Sequence, residues 1–179
     1  MNIVDKISAG HATLEQALEM FDALEPVDID FMLGPWQGSG LHTGHPLDGV
    51  LEAYHWHGKR FDDSEAVHPL VFKTLGGNTA CINPRFMGSP MGLVGKMPIP
   101  KSRAAGKAFQ LLIPLLSTRK PRARLRMTEY RGKPSATMIY DQLPINDVFR
   151  KVDDETVLGV MDRKGMERPF FFVLRREQG

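Results

Sequence analysis

The sequence predicts a mainly β protein, in which antiparallel strands close into a barrel accompanied by an N-terminal helix and one short accessory helix. From Trp36 onward, short β-forming runs are separated by turn residues at roughly 8–12-residue intervals, the spacing typical of barrels and sandwiches. No helical pattern alternates with these runs, which favours antiparallel over parallel pairing. A single amphipathic helix precedes them.

That first helix has a clear beginning and end. Thr13 and Gln16 have the spacing of a capping box, and apolar residues from Leu14 to Leu24 follow at helical spacing. Pro26 is expected to end the helix. A lone amphipathic helix before a barrel suggests a lid or plug on one end of it.

The remaining elements follow from alternation and turn signals. We expect strands at residues 35–42, 54–61, 67–75, 78–86, 122–130, 135–141, 148–152, 156–162 and 169–176. Hairpins turn at Arg131-Gly132-Lys133 and between Val148 and Met161. The accessory helix is expected from Arg103 to Leu112, stopped by Pro114.

Composition narrows the class of protein. The chain has 179 residues, 42% hydrophobic and 25% charged, as in soluble globular domains. A net charge of +2 gives no indication of nucleic-acid binding, and the single cysteine, Cys81, excludes an internal disulfide. Because we find no signal peptide and no long apolar run, we expect a cytoplasmic protein.

The motif Gly34-Pro35-Trp36-Gln37-Gly38 opens the first strand. It resembles the motif that names the GXWXG family, and the last third of the chain resembles that family's usual companion, the DUF4334 domain. The resemblance implies one barrel domain over residues 1–179, with a GXWXG-like half at about 1–100 and a DUF4334-like half at about 101–179. Further matching segments are Gly44–Gly49, Gly58–Phe61, Val67–Leu70, Tyr140–Ile145, Asp147–Arg150, Leu158–Asp162 and Pro169–Phe172.

A glycine-flanked tryptophan at this place is also similar to the calycin superfamily of lipocalins, fatty-acid-binding proteins and nitrobindins. That resemblance implies a calycin-like barrel whose tryptophan plugs one end, with Arg175 or Arg176 from the last strand packed on it. Nitrobindins bind haem through a histidine late in the chain, whereas this chain has no histidine after His68. Haem binding is therefore an alternative rather than the first expectation.

The resemblance implies an intracellular binding protein for a hydrophobic or amphipathic ligand, a fatty acid or phospholipid, held inside the barrel. Alternation on the strand at 54–61 places Tyr54, Trp56 and Arg60 on one face, with Arg60 as the head-group partner. A register shifted by one would instead turn His55, His57 and Lys59 inward. The expected ligand-binding residues are Trp36, Tyr54, Trp56, Arg60, His68, Met91, Met97 and Tyr140. The two methionines belong to an apolar Gly- and Pro-rich segment that suggests a gate.

The sequence offers little for catalysis or metal binding. His55 and His57 could share a strand face, but no third ligand has suitable spacing, so we expect no metal site and no cofactor. No nucleophile motif is present, and an enzyme acting on a hydrophobic substrate remains the other alternative.

One charged segment stands out. Arg122, Arg124 and Arg126 alternate with apolar residues and follow the apolar stretch from Phe109 to Leu116. This combination predicts a surface that contacts anionic membranes transiently, with phosphate bound by the guanidinium groups. Aromatic residues do not alternate with these arginines, so we expect no nucleic-acid partner.

Overall fold

The structure is a computed structural model that describes residues 3–86 and 99–178. Its helices are α1 (Ile3–Ala9), α2 (Leu14–Ala23), α3 (Ile29–Met32), α4 (Val50–Ala53) and α5 (Arg103–Leu116). Its strands are β1 (Glu25–Pro26), β2 (Gly34–Gly40), β3 (Trp56–Phe61), β4 (Val67–Lys73), β5 (Thr79–Cys81), β6 (Ala123–Tyr130), β7 (Lys133–Tyr140), β8 (Ile145–Lys151), β9 (Thr156–Arg163) and β10 (Phe170–Arg176).

These strands form a 10-stranded antiparallel sheet that closes on itself. Pairing runs β8-β7-β6-β4-β3-β2-β10-β9, and β9 pairs again with β8, so eight strands make a barrel-like ring. The two short strands lie beside it, β1 on β8 and β5 on β4. The predicted mainly β antiparallel fold, with an N-terminal helix and an accessory helix, is therefore confirmed.

Most elements lie where the sequence places them, and the differences concern β5, α5 and three short elements. Strand β5 ends at Cys81, although a strand was expected over 78–86. Helix α5 continues to Leu116 with Pro114 inside it, because a proline so near the helix end removes only the hydrogen bond to Gln110. The short elements α1, β1 and α3 carry no sequence pattern strong enough to predict them.

The interior of the ring is filled by large apolar side chains. Fully buried members include Trp36, Phe61, Leu125, Met138 and Phe149, and the rings of Phe61 and Phe149 meet edge to face at 5.8 Å. Residues from both halves of the chain contribute to this cluster. The inner core therefore depends on β2–β4 and β6–β10 together.

A second buried cluster lies outside the ring and explains the position of the N-terminal helices. Strands β8, β9 and β10 also have apolar outer faces, with Val148, Leu158 and Phe171 almost fully buried. Helices α1 and α2 cover those faces through Ile7 and Phe21. The expectation of a lid or plug over one end is wrong, because the outer face of the sheet, rather than its end, is apolar.

Helix α2 is also held by charge. Arg131, in the turn between β6 and β7, binds both carboxylate oxygens of Asp22 at 2.6 Å, and this hydrogen bonding lowers the pKa of Asp22. The guanidinium of Arg150 stacks on Phe21 at 4.7 Å. The capping box of Thr13 and Gln16 is formed as predicted.

The Gly-x-Trp-x-Gly motif has a separate physical role for each glycine. Gly34 has φ +110°, a conformation that other residues rarely adopt. Gly38 lies against Trp56, since a Cβ there would fall 2.1 Å from the indole. Between them, Trp36 is 1% exposed and donates from Nε1 to the carbonyl of Met32 at 2.8 Å.

The arginine that packs on this tryptophan is Arg176, not Arg175. Its guanidinium carbon lies 4.3 Å from the Trp36 ring, and it donates to the carbonyls of Phe31 and Leu33. Arg175 faces the other way and donates to Ser39.

Across the described residues, no helix is long and apolar enough to cross a bilayer.

Candidate ligand-binding cavity

A cavity of ≈ 100 Å³ lies in the ring beside Phe170 and Phe172 of β10, and the Trp36–Arg176 stack lies at the other end of that strand. Its wall is almost entirely apolar, apart from one ion pair and the polar edges of two aromatic residues. The lining residues are Leu47, Val50, Leu51, Trp56, Lys59, Leu70, Ile99, Tyr140, Leu143, Ile145, Asp147, Met161, Phe170 and Phe172. An apolar cavity with a few convergent polar groups is the usual form of a ligand site.

An irregularity in β3 brings Trp56 and Lys59 to the same cavity. Pairing of β3 with β4 shifts register between Trp56 and Gly58 and again between Gly58 and Arg60. Such bulges break the two-residue alternation of side chains. Glycine is required at the centre, because Gly58 has φ +153° and a Cβ would lie 1.9 Å from the Trp36 carbonyl oxygen.

The expectation that Arg60 faces inward is wrong for the same reason. Its side chain is 46% exposed and binds Asp62 at 2.9 Å. Its partner across the sheet, His68, also contacts Asp62, at 3.3 Å, and does not line the cavity. Of the alternatives left open by the sequence, Lys59 faces inward, whereas His55 is exposed and His57 pairs with Glu177.

Lys59 and Asp147 form a buried ion pair in the cavity wall. The Lys59 ammonium lies 2.8 Å from Asp147 Oδ2, and their side chains are 3% and 2% exposed. Lys59 also donates to the carbonyl of Pro69 at 3.1 Å. Because two isolated charges would be costly to bury, each ion depends on the other.

Aromatic rings surround the ammonium. Its Nζ lies 5.6 Å from the Trp56 ring centroid, 5.7 Å from that of Tyr140 and 5.1 Å from that of Phe172. Such cation–π contacts are strongest where water is absent. Room for these rings comes from two glycines, Gly38 beside Trp56 and Gly159 beside Phe172.

Burial changes the acidity of the site. Desolvation raises the pKa of Asp147 above its usual 3.8, and the charge and hydrogen bond of Lys59 oppose the shift. Desolvation also raises the pKa of Tyr140 well above its usual value, and the Asp147 carboxylate adds to the effect. Perturbed groups gathered in an apolar cavity mark a functional-site candidate.

The other residues expected to bind ligand have different positions. Trp56 and Tyr140 line the cavity, whereas Trp36 is buried in the inner core and does not line it. Tyr54 caps α4 ahead of the strand, because His55 has φ +60°, and its hydroxyl donates to the carbonyl of Pro100. Met91 and Met97, with the expected gate, lie outside the described residues.

Asp147 was not anticipated, although the sequence carries a signal for it. Ile145, Asp147 and Phe149 share one face of β8 by alternation, and both neighbours are buried in the inner core. An acid between two inward-facing apolar residues needs a buried cation. Lys59, on a strand that also holds Trp56 and Phe61, is that cation.

The histidines show neither the metal nor the haem arrangement. In residues 3–86 and 99–178, no group of three or more potential metal-binding side chains converges. None of the described lining residues is a histidine, the haem ligand that the nitrobindin resemblance implies. The cavity wall therefore does not fit that mode of haem binding.

The arginines at 122, 124 and 126, around the start of β6, are only partly available at the surface. Arg124 is exposed, as alternation predicts, but Arg126 pairs with Glu65 and donates to the carbonyl of Leu125. Arg122 is half-buried. The more distinctive surface is the outer side of α5, where Leu111 and Leu115 are 71% and 77% exposed.

The fold and the cavity thus define a class of protein: a closed antiparallel ring around a small apolar cavity with one buried ion pair. The family model described as "GXWXG protein" matches residues 19–77, and "Domain of unknown function (DUF4334)" matches residues 121–176. The chain belongs to this GXWXG and DUF4334 family, as the sequence predicts.

A solved structure supports the same assignment over the whole chain. The crystal structure of a protein from Thermomonospora curvata is 33% identical, with a TM-score of 0.72. The alignment covers 98% of this chain and 96% of that one. No curated protein matches the chain.

Proposed function

We propose that this protein binds a small hydrophobic or amphipathic molecule inside the ring, at the cavity between Trp56, Lys59, Tyr140 and Asp147. The observation that carries the proposal is an apolar cavity whose wall contains a buried ion pair. If these positions served only to stabilise the core, apolar side chains would be expected there. A buried ion pair seldom adds stability over well-packed apolar residues. Binding of a ligand in this cavity would explain why the pair is present in its wall.

Size narrows the ligand class. The described cavity of ≈ 100 Å³ is nearer to one that holds benzene, about 150 Å³, than to typical drug-sized pockets of about 300–1,000 Å³. A whole long-chain fatty acid or phospholipid, the ligands expected from the sequence, exceeds this volume. We therefore propose a compact apolar molecule, or the end of a longer one.

The stack of Arg176 on Trp36 supports a calycin-like relationship, since the lipocalin resemblance implies an arginine of the last strand on this tryptophan. Calycin barrels leave the end opposite the tryptophan for the ligand, and the cavity lies beside the end of β10 that is farther from the Trp36–Arg176 stack. The resemblance to calycins also favours a binding protein over an enzyme. A haem-binding function is not favoured, because no described lining residue is a histidine.

Toluene is a suitable probe of the proposed cavity. We expect saturable binding of one toluene per chain by ligand-observed NMR or calorimetry. Leu70 lines the cavity, so Leu70→Trp should fill it and weaken binding at least about tenfold. Leu75→Trp is the matched control, because Leu75 is 72% exposed, and it should bind as wild type does. Absence of saturable binding, or equal binding by both variants, would contradict the proposal.

The outer side of α5 supports a second proposal, transient contact with an anionic membrane. Helix α5 contains no acidic residue, and its exposed side carries Arg103 and Lys107 near the start and Leu111, Leu112 and Leu115 near the end. Cations beside exposed leucines are the pattern of a helix that lies on a charged bilayer surface. We therefore propose a surface centred on α5, rather than on Arg122, Arg124 and Arg126 alone.

A further inference from the structure

Two buried polar atoms in the cavity wall have no hydrogen-bond partner within the described part of the chain. They are Oδ1 of Asp147 and Nε1 of Trp56. The Asp147 side chain is 2% exposed, and Trp56 is 8% exposed. An unmade hydrogen bond at a buried group is costly, so a ligand group that reaches either atom would gain a hydrogen bond there.

The indole nitrogen of Trp56 is not among the ring atoms that lie nearest to Gly38. Atoms Cε3, Cζ3 and Cη2 of the six-membered ring pack against Gly38. Nitrogen Nε1 belongs to the opposite edge of the indole. The Trp56 N–H is therefore a donor on the side away from that packing surface.

Lys59 has little capacity left, which makes Asp147 and Trp56 the recognition groups. An ammonium has three N–H donors. One is given to Asp147 Oδ2 and one to the Pro69 carbonyl, at 2.8 and 3.1 Å. The wall thus presents one strong acceptor, Asp147 Oδ1, together with a donor from Trp56 and a remaining donor from Lys59.

The charge of the wall decides between chemical classes of ligand. Lys59 and Asp147 neutralise each other, so a carboxylate in the cavity would lie beside the Asp147 carboxylate with no free cation to pair with. An ammonium would meet Lys59 in the same way. Uncompensated charges beside side chains so deeply buried are costly. A neutral group that both donates and accepts a hydrogen bond satisfies the wall.

We propose that the cavity recognises a neutral alcohol, whose hydroxyl donates to Asp147 Oδ1 and accepts from the Trp56 N–H while its hydrocarbon part contacts the apolar wall. This inference rests on the proposed function and narrows it, because it excludes a free fatty acid head group at the ion pair. Lys59 acts as a positioning residue that holds the Asp147 side chain in place through their 2.8 Å contact.

Three probes of similar size test the head group: benzyl alcohol, toluene and benzoate. Their affinities for the wild-type protein are measured by calorimetry at neutral pH. We expect benzyl alcohol to bind at least about tenfold more tightly than benzoate. Toluene binding reports on the cavity alone, so a protein that binds toluene but prefers benzoate would overturn the alcohol inference and leave the proposed function intact. Failure of all three probes to bind would overturn both.

A conservative variant then tests the hydrogen bond itself. Trp56→Phe removes the N–H and keeps an aromatic ring, and we expect it to weaken benzyl alcohol about fivefold or more while changing toluene less than twofold. Trp36→Phe is the matched control, because its N–H is already bound to the Met32 carbonyl, and it should leave the ratio of the two affinities unchanged. Equal weakening of alcohol and toluene by Trp56→Phe would contradict the inference.

Discussion

At the scale of single residues, the ion pair of Lys59 and Asp147 is proposed to serve ligand binding, although a buried ion pair adds little to the stability of the fold. Removing one partner leaves a buried charge, and such changes typically cost about 3–5 kcal/mol. Replacing both with apolar residues of similar size is often neutral or stabilising. If the pair is kept for a ligand, the protein should tolerate its complete removal better than its partial removal.

We therefore predict that Asp147→Leu lowers the free energy of unfolding by about 3–5 kcal/mol, whereas Lys59→Met with Asp147→Leu restores it to within about 1 kcal/mol of wild type. Urea unfolding followed by circular dichroism measures both. Arg60, which is 46% exposed and pairs with Asp62, is the control, and Arg60→Ala should cost under about 1 kcal/mol. A double variant no more stable than the single one would contradict this account.

The same pair has a predictable dependence on pH. Burial raises the pKa of Asp147 in the folded protein above its usual 3.8, so the native state holds this proton more tightly than the unfolded chain does. This contribution to stability is present below pH 3.8 and is lost as the pH rises through the native pKa. The free energy of unfolding of wild type should therefore fall relative to that of the double variant as the pH rises across that window.

Gly38 makes a second residue-scale prediction. Its φ is not in the left-handed region, so alanine is compatible with the backbone, but the added Cβ would lie 2.1 Å from Trp56. We expect Gly38→Ala to lower the free energy of unfolding by about 1–3 kcal/mol, as overpacking does, and to weaken toluene binding. Gly76→Ala, whose Cβ would meet nothing closer than 3.9 Å, should leave both unchanged.

At the scale of elements, the strands were predictable because each carries its own alternation and is bounded by turn residues. The hairpin turn at Arg131 and Gly132, with φ of 52° and 75°, has this local signature. The inward face of β3 was not predictable, because the bulges at Gly58 depend on the neighbouring Trp36 backbone and on pairing with β4. Local alternation cannot encode an irregularity that a partner strand imposes.

The same distinction explains which site residues were found. Trp56 and Tyr140 are large aromatic residues, and the sequence identifies both as lining residues. The sequence offers Lys59 only as an alternative and does not identify Asp147, because ion pairing joins strands that are far apart in sequence. Strict alternation favours Arg60 over Lys59 as the inward-facing cation, and the bulge breaks that alternation.

Helix α5 provides an element-scale test of the proposed membrane contact. Leu111→Ser with Leu115→Ser removes exposed apolar surface without touching its buried side, which includes Gln110 and Ile113. We expect this variant to lose most co-sedimentation with phosphatidylserine vesicles at low salt, while its melting temperature stays within about 2 °C of wild type.

Charge and apolar contact can be separated in the same assay. Arg103→Gln with Lys107→Gln should weaken sedimentation, and binding by wild type should fall as salt rises, because surface charges are screened beyond about 8 Å at physiological ionic strength. Arg124→Gln measures how much the exposed arginine of β6 contributes to sedimentation with the vesicles. Equal sedimentation of wild type and the leucine variant at low salt would contradict the proposed membrane contact and make α5 an ordinary solvent-exposed helix.

At the scale of the whole molecule, the ring joins the two matched segments into one structure. Strand β10 pairs with β2 over five residue pairs from Phe172 to Arg176, and the inner core combines Trp36, Phe61 and Phe149. The other junction is weaker, since β6 meets β4 at the single pair of Val67 and Ala123. Neither segment can bury its inner face without the other.

We accordingly predict that the full chain unfolds in one cooperative transition and that residues 101–179 do not fold alone. The fragment keeps β6–β10 but loses β2–β4, so the inner face of β10 loses its contacts with Trp36 and Trp56 and the edge of β10 loses its partner. Exposed apolar faces and an unpaired edge strand cannot offset the conformational entropy of folding. Calorimetry of the full chain should give equal calorimetric and van't Hoff enthalpies.

The fragment itself is measured by near-ultraviolet circular dichroism and by the dispersion of its amide NMR signals, alone and after mixing with residues 1–100. Mixing should restore the near-ultraviolet signal, because β2 and β4 are the missing partners of β10 and β6. A fragment of residues 101–179 that unfolds cooperatively by itself would mean that β6–β10 form an independent domain. The cavity would then lie between two folding units, and ligand binding would be expected to stabilise their association rather than a single ring.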